Sequence, residues 1–275
     1  MPAPFQTRIT RTFDRLKQEG NRGLIAYITA GDPSPDQTVG IVRALEQGGM
    51  DIIELGVPFS DPIADGPVIQ RASERSLRAG TTLKTVLQIL RDLRRESEIP
   101  VVIFSYLNPV LRYGFEKFAA DAAAAGADGA LLTDLNVEAA EPYLAEMRRH
   151  RLDAIFLVSQ TTAEERVRLL SQSSSGFVYI VSRAGVTGTR DALSDQVIPL
   201  IERVRATTSL PVAVGFGLSR REHMAALAPH ADAAAVGSAI VRLIADNSGR
   251  PGLEHDLRAF AAQLKSGLVA PVAAR

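Results

Sequence analysis

Eight short runs of aliphatic and β-branched residues recur along this chain, most of them followed by a longer segment whose apolar residues return every three to four positions. No other feature restricts the fold as much. The runs fall at 24–28, 52–55, 101–106, 129–132, 155–158, 177–181, 212–214 and 233–236. They are continuously apolar rather than alternating, the pattern of strands whose sheet is covered by helices. The segments at 37–47, 83–95, 115–125, 139–150, 163–170, 197–204 and 221–227 carry the 3.6-residue period of amphipathic helices. A further helix is predicted at 10–19, with Phe13 and Leu16 on its apolar side, and a closing one at 253–264. Strands alternating with helices and joined by no Gly/Ser-rich linker predict an α/β chain folded as a single (β/α)8 TIM barrel with an extra N-terminal helix. The domain is expected to occupy residues 1–275, with its core at about 8–265 and a flexible tail at 266–275. A doubly wound open sheet is the competing architecture, but its G-x-G-x-x-G turn is absent: the first strand runs into Ala30-Gly31-Asp32-Pro33.

In such a barrel chemistry sits at the C-terminal ends of the strands. Glu54 closes the second strand, and Asp61 and Asp65 lie in the loop that follows. Alternation sends Asp51 away and leaves Glu54 near the barrel axis or its rim. A glutamate desolvated by apolar neighbours keeps its proton to higher pH and can act as general acid or base; a structural ion pair with an arginine across the mouth is the alternative. Asp65 sits in a loop stiffened by two prolines, Asp61-Pro62 and Asp65-Gly66-Pro67, although Asp-Gly turns are also common on bland surfaces. Three successive strand ends open onto glycine and hydroxyl residues: Ser182 to Gly188, Gly215-Phe216-Gly217-Leu218-Ser219, and Gly237-Ser238-Ala239. The last two run straight into helices. Glycine admits an anion close to main-chain N–H groups and a helix N-terminus favours it, so the set points to a phosphate rather than to three unrelated tight turns.

Several chemistries lack their residues. The chain has no cysteine, so disulfides, thiolate nucleophiles and Cys-based zinc sites are excluded. Its four histidines, His150, His223, His230 and His255, fall in or beside helices with no H-x-H or H-E-x-x-H spacing, and no metal site is expected. The four lysines, Lys17, Lys84, Lys117 and Lys265, all lie in helical segments, so a Schiff-base aldolase has no nucleophile at the mouth. A formal net charge of zero argues against nucleic-acid or acidic-membrane partners. No signal-peptide core and no membrane-length apolar stretch are present, which predicts a cytoplasmic protein. A phosphorylated small molecule handled by carboxylates is what remains.

The motifs ELGVPFSDPIADGPVIQ (54–70), AYITAGDP (26–33), YLNP (106–109), VSRAGVTG (181–188), GFG (215–217) and GSAIV (237–241) occur in the order and spacing of one family. From about residue 8 to 265 the chain resembles the α subunit of tryptophan synthase. The resemblance implies cleavage of indole-3-glycerol phosphate to indole and glyceraldehyde 3-phosphate. It implies that Glu54 moves protons on the C3 side of the ring, that Asp65 faces the indole N–H, and that Tyr179 assists near the reacting hydroxyl. Gly188, Gly217, Gly237 and Ser238 would hold the phosphate, and Tyr27, Ile69, Phe104 and Phe216 would line the indole pocket. Arg183 and Thr187 would belong to a lid in which Thr187 reaches Asp65 on closure. The resemblance further implies no cofactor in this chain, pyridoxal phosphate in a β subunit only, and an αββα heterotetramer docked through Asp61, Asn108, Pro109 and Asp134. This chain departs from the family pattern at Thr133-Asp134-Leu135-Asn136, where a proline is usual in place of Asn136, and at Ala184, where serine is common. A related barrel lyase or indole-forming synthase, and a non-catalytic regulator of the β subunit, are the competing functions. The synthase calls for a lysine at a strand end, and intact carboxylates and phosphate loops speak against the regulator.

Overall fold

A computed structural model describes residues 6–181, 196–215 and 217–269 of the chain. Its strands are β1 (Gly23–Thr29), β2 (Ile52–Gly56), β3 (Val101–Ser105), β4 (Gly129–Leu132), β5 (Asp153–Ile155), β6 (Leu157–Ser159), β7 (Val178–Val181), β8 (Val212–Gly215) and β9 (Ala233–Val236). They form one sheet in the order β5-β4-β3-β2-β1-β9-β8-β7-β6, with every pairing parallel. The two outermost members, β5 and β6, are separated in sequence only by Phe156. They are two halves of one strand, and the sheet closes through them: Ile155 pairs with Leu131 on one side and Leu157 with Tyr179 on the other. The fifth strand expected at 155–158 is therefore longer and broken. Its first half pairs with β4 and its second with β7, the stagger that closing a tilted barrel demands.

Alternation along each strand splits the core in two. Leu24, Ala26, Ile28, Ile53, Leu55, Val101, Ile103, Ala130, Val178, Ile180, Val212 and Val214 face outward into the layer covered by helices. Ile25, Ile52, Val102, Leu131, Ile155, Phe177, Ala213, Ala233 and Ala235 face inward and fill the barrel. The leading helix, Arg8–Gln18, seals the floor of this interior. Its Ile9 and Phe13 join the inward cluster, and Phe13 lies 5.8 Å from Phe177 between ring centroids. The N-cap Thr7 ties the helix down by donating to Asp153 Oδ2 at 2.6 Å, while the Arg8 guanidinium meets Asp128 at 3.2 Å. Asp128 is buried and also takes Arg94 (3.1 Å) and the Val101 N–H (2.9 Å).

Besides Ser238–Asp246, the helix expected after the Gly237 turn, two helices lie outside the periodic segments of the sequence. Pro67–Arg78 buries Ala72, Ser73 and Ser76, small residues whose pattern reads as polar. Leu107–Tyr113 carries Pro109 in its first turn, where a missing N–H costs nothing. The first of them is anchored to the end of β1: Arg75 grips Asp32 with two bonds of 2.7 and 2.8 Å, and Ser76 Oγ donates to the Ala30 carbonyl at 2.5 Å. The closing helix spans Leu253–Lys265, beyond which Leu268 is buried and its carbonyl accepts from the Arg22 N–H at 3.1 Å. Among the described residues no helix is long and apolar enough to cross a membrane.

Candidate active site

Glu54 belongs to β2 and shares its inward parity with Ile52 and Gly56. Asp51 points the other way, where Lys265 and the Leu24 N–H (2.8 Å) hold it. The Glu54 side chain is fully buried, and neither carboxylate oxygen has a hydrogen-bond partner among the described residues. The ion pair that offered a structural explanation for this residue is therefore not formed with any described arginine. Burial alone drives its pKa up to about 8, so the carboxyl is protonated at neutral pH.

Around it the barrel mouth is aromatic. Tyr27 on β1 is register partner to Glu54, and its ring meets Phe104 of β3 edge-on at 5.1 Å. Val68 and Ile69, from the first turn of Pro67–Arg78, pack against the Tyr27 cluster. Tyr179, inward on β7, closes the opposite side. Close approach of these rings needs two glycines: a Cβ at Gly56 would overlap the Tyr27 hydroxyl, and one at Gly215 would overlap the Tyr179 hydroxyl. Burial, then the charge of Glu54, raises the Tyr179 phenol well above its ordinary range. Burial, then the charges of Asp65 and Glu54, does the same to Tyr27. One phenol thus feels both carboxylates.

Asp65 comes from the loop after β2. Its N–H donates to the Pro62 carbonyl at 3.0 Å, and Gln70 Nε2 donates to its own carbonyl at 2.9 Å. Its Oδ2 accepts the Tyr106 hydroxyl at 3.1 Å. Partial burial raises its pKa to about 6 even though that hydrogen bond pulls the other way. Near neutrality one carboxyl is an acid and the other a base. Tyr106 and Gln70 were not among the expected site residues; Tyr106 shares the inward parity of Phe104 two residues earlier, but nothing in the sequence marks its contact with Asp65.

At the other end of the mouth, β8 and β9 are neighbours and their following loops lie side by side. Gly217 adopts a left-handed φ of 69° in the first. Gly237 caps the helix Ser238–Asp246 in the second, with no side chain occupying the helix's first N–H groups. Gly237 also abuts Tyr27, since a Cβ there would stand 3.4 Å from Tyr27 Cβ. The N-terminus of that helix and the aromatic wall are thus contiguous. Arg183, Thr187, Gly188 and Phe216 lie outside the described residues. Asp61 and Asn108 are exposed and Pro109 half-buried on the rim, while the exposed Asp134 accepts the Leu107 N–H at 2.6 Å. Asn136, where a proline was expected, is fastened by Arg166, which reaches Asn136 Oδ1 at 2.8 Å and Glu138 at 2.6 Å. No cluster of three metal-ligating side chains occurs among the described residues.

Comparison with known proteins agrees with this geometry. A family model described as tryptophan synthase alpha chain matches residues 13–268. The tryptophan synthase alpha chain of Solibacter usitatus is 59% identical over 261 residues, covering 95% of this chain and 98% of that one. That of Geotalea uraniireducens is 46% identical over 264 residues, covering 96% and 98%. Among solved structures, tryptophan synthase subunit alpha from Legionella pneumophila superposes with a TM-score of 0.89 at 36% identity, over 96% of this chain and 99% of that chain. A chain of Mycobacterium tuberculosis tryptophan synthase does so with a TM-score of 0.88 at 37% identity, over 97% and 100%.

Proposed function

Because the chain belongs to the tryptophan synthase alpha chain family, and so cleaves indole-3-glycerol phosphate to indole and glyceraldehyde 3-phosphate by retro-aldol chemistry, we propose that Glu54 and Asp65 share that chemistry between the two ends of the indole ring. Breaking the bond at C3 leaves an electron pair on the ring. Proton transfer from Glu54 to C3 turns the ring into an iminium-like sink with its positive charge at N1. Asp65, ionised above about pH 6, accepts the N1–H and stabilises that charge. The Glu54 carboxylate then takes the proton of the glycerol hydroxyl, the new carbonyl forms as the carbon–carbon bond breaks, and the electron pair restores neutral indole. Glu54 ends protonated, as it began. Tyr179, a neutral phenol beside Glu54, assists at the reacting hydroxyl.

The observation that carries this reading is Glu54 itself: a wholly buried carboxyl, without a partner among the described residues, that keeps its proton to about pH 8. Tyr27, Ile69, Phe104 and Phe216 form the indole pocket. Gly217, Gly237 and Ser238, together with Gly188, receive the phosphate on main-chain amides and the N-terminus of the helix Ser238–Asp246. Arg183 and Thr187 serve the lid. The partner is the β subunit, assembled as an αββα heterotetramer through the rim that bears Asp61, Asn108, Pro109 and Asp134. Pyridoxal phosphate belongs to that subunit and no cofactor to this one, in a cytoplasmic enzyme whose alpha chain is one domain.

The test is indole release by Glu54→Gln and Asp65→Asn, with and without β subunit, beside binding of a phosphorylated substrate analogue. Turnover should fall by at least ~10²–10⁴-fold in each variant while the analogue still binds. Near-normal turnover by Glu54→Gln would remove the acid–base assignment.

A further inference from the structure

The loop that carries Asp65 is gripped at three points by one side chain. Tyr106 stands just beyond the end of β3. Its ring packs on Phe59 of that loop at 5.1 Å between centroids, its hydroxyl accepts the Ala64 N–H at 2.9 Å, and the same hydroxyl donates to Asp65 Oδ2 at 3.1 Å. Because the phenolic proton is committed to Oδ2, the Ala64 N–H must enter through a lone pair, which fixes the direction of both bonds. Tyr106 is itself held from the next loop, where Asp134 Oδ1 accepts the N–H of Leu107 at 2.6 Å. The loop needs such a grip. Its tip is free, with Ile63 87% exposed, and Gln70 secures only main-chain carbonyls, those of Asp65 (2.9 Å) and Pro62 (3.4 Å).

We infer that Tyr106 is a positioning residue for Asp65: its hydroxyl occupies Oδ2 and so presents Oδ1 as the acceptor for the ring N–H of the substrate. The inference rests on the proposed role of Asp65. An unrestrained carboxylate would turn about its last two bonds and spend only part of its time aligned with N1, and misalignment of this kind is expensive in rate. The bond does a second thing. Donation to a carboxylate favours the ionised form, opposing the burial that raises Asp65. The other ionisable groups around Asp65 are Tyr27 from β1, Glu54 from β2 across Tyr27, Asp134 behind Tyr106, and Asp61 within the loop. Among the described residues none of these is a cation and none donates a hydrogen bond to Asp65, so it is Tyr106 that opposes the burial.

Tyr106→Phe tests this in the full-length chain, since it keeps the ring on Phe59 and removes only the hydroxyl. Indole release is followed against pH, and the Asp65 carboxyl is titrated by ¹³C NMR. The acid limb of kcat and the Asp65 titration should both move up by about one pH unit, the worth of a hydrogen bond to a charged group. Plateau kcat should fall on the order of tenfold, with KM changed much less. A urea unfolding curve close to that of the parent chain separates this from a loss of structure. If the limb and the titration stay where they were while Asp65→Asn is inactive, the positioning role is wrong and the role of Asp65 stands. If Asp65→Asn turns over normally, both are wrong.

Discussion

Glu54 and Asp65 are held at about 8 and about 6 by the same cause, loss of water, in different measure. Turnover should therefore follow a bell. It falls below pH 6 as Asp65 takes a proton, and above pH 8 as Glu54 loses the one it must give. The same displacement acts on stability. A carboxyl whose folded pKa lies above its unfolded value binds its proton more tightly in the native state, so its contribution is greatest below the unfolded pKa of about 4.3 and is lost as pH rises through 8. Glu54→Gln cannot ionise. In urea melts it should gain on the parent chain between pH 5 and pH 9, by up to a few kcal/mol at about 1.4 per unit of displacement; a pH-independent difference would show that Glu54 is not desolvated. Gly215→Ala should cut indole release sharply with the fold intact, because the added methyl claims the space of the Tyr179 hydroxyl. Glu54 was legible in the sequence because strand parity alone sends it inward, whereas Asp51, also acidic and three residues earlier, goes outward. Tyr106 was not, because what makes it matter is a contact with a residue 41 positions earlier, and neither periodicity nor spacing records such a pairing.

At the scale of elements, the strands announced themselves because both their faces are apolar, and the helices did so in proportion to the size of the residues they bury. The helix Leu83–Leu93 buries Val86, Leu87 and Leu90 and was plain. Pro67–Arg78, which delivers Val68 and Ile69 to the pocket, presses Ala72, Ser73 and Ser76 on its neighbours and was silent. It stays in place through polar contacts that no hydrophobic count can detect, the Asp32–Arg75 pair foremost. The break at Phe156 was equally invisible, since it comes from ring closure and not from any local propensity. The leading helix offers the clearest energetic test. Phe13→Ala empties its contact with Phe177 and should cost about 3–5 kcal/mol in urea unfolding. Binding of a phosphorylated analogue at the far end of the barrel should hardly change under conditions where the variant is folded. A loss below 1 kcal/mol would mean the helix is not packed as described.

For the molecule as a whole, the rim exposes apolar side chains where the loops after β2 and β3 rise above the barrel: Ile63 and Leu111 are both open to solvent. Neither enters the pocket, and on the proposed reading they belong to the rim that meets the β subunit. Ile63→Asp should leave the basal indole release of the isolated chain near its parent value while weakening its association with a β subunit, measured by titration calorimetry; unaltered affinity would move the docking surface elsewhere. The floor has a consequence of another kind. Ile9 and Phe13 nest against Phe177, Ala213 and Ala233, which come from the second half of the polypeptide. A segment made early in synthesis thus finds its seat only after strands made much later. Until some 230 residues have been translated, the stopper has no bottle, and its greasy face is what a waiting chaperone would find.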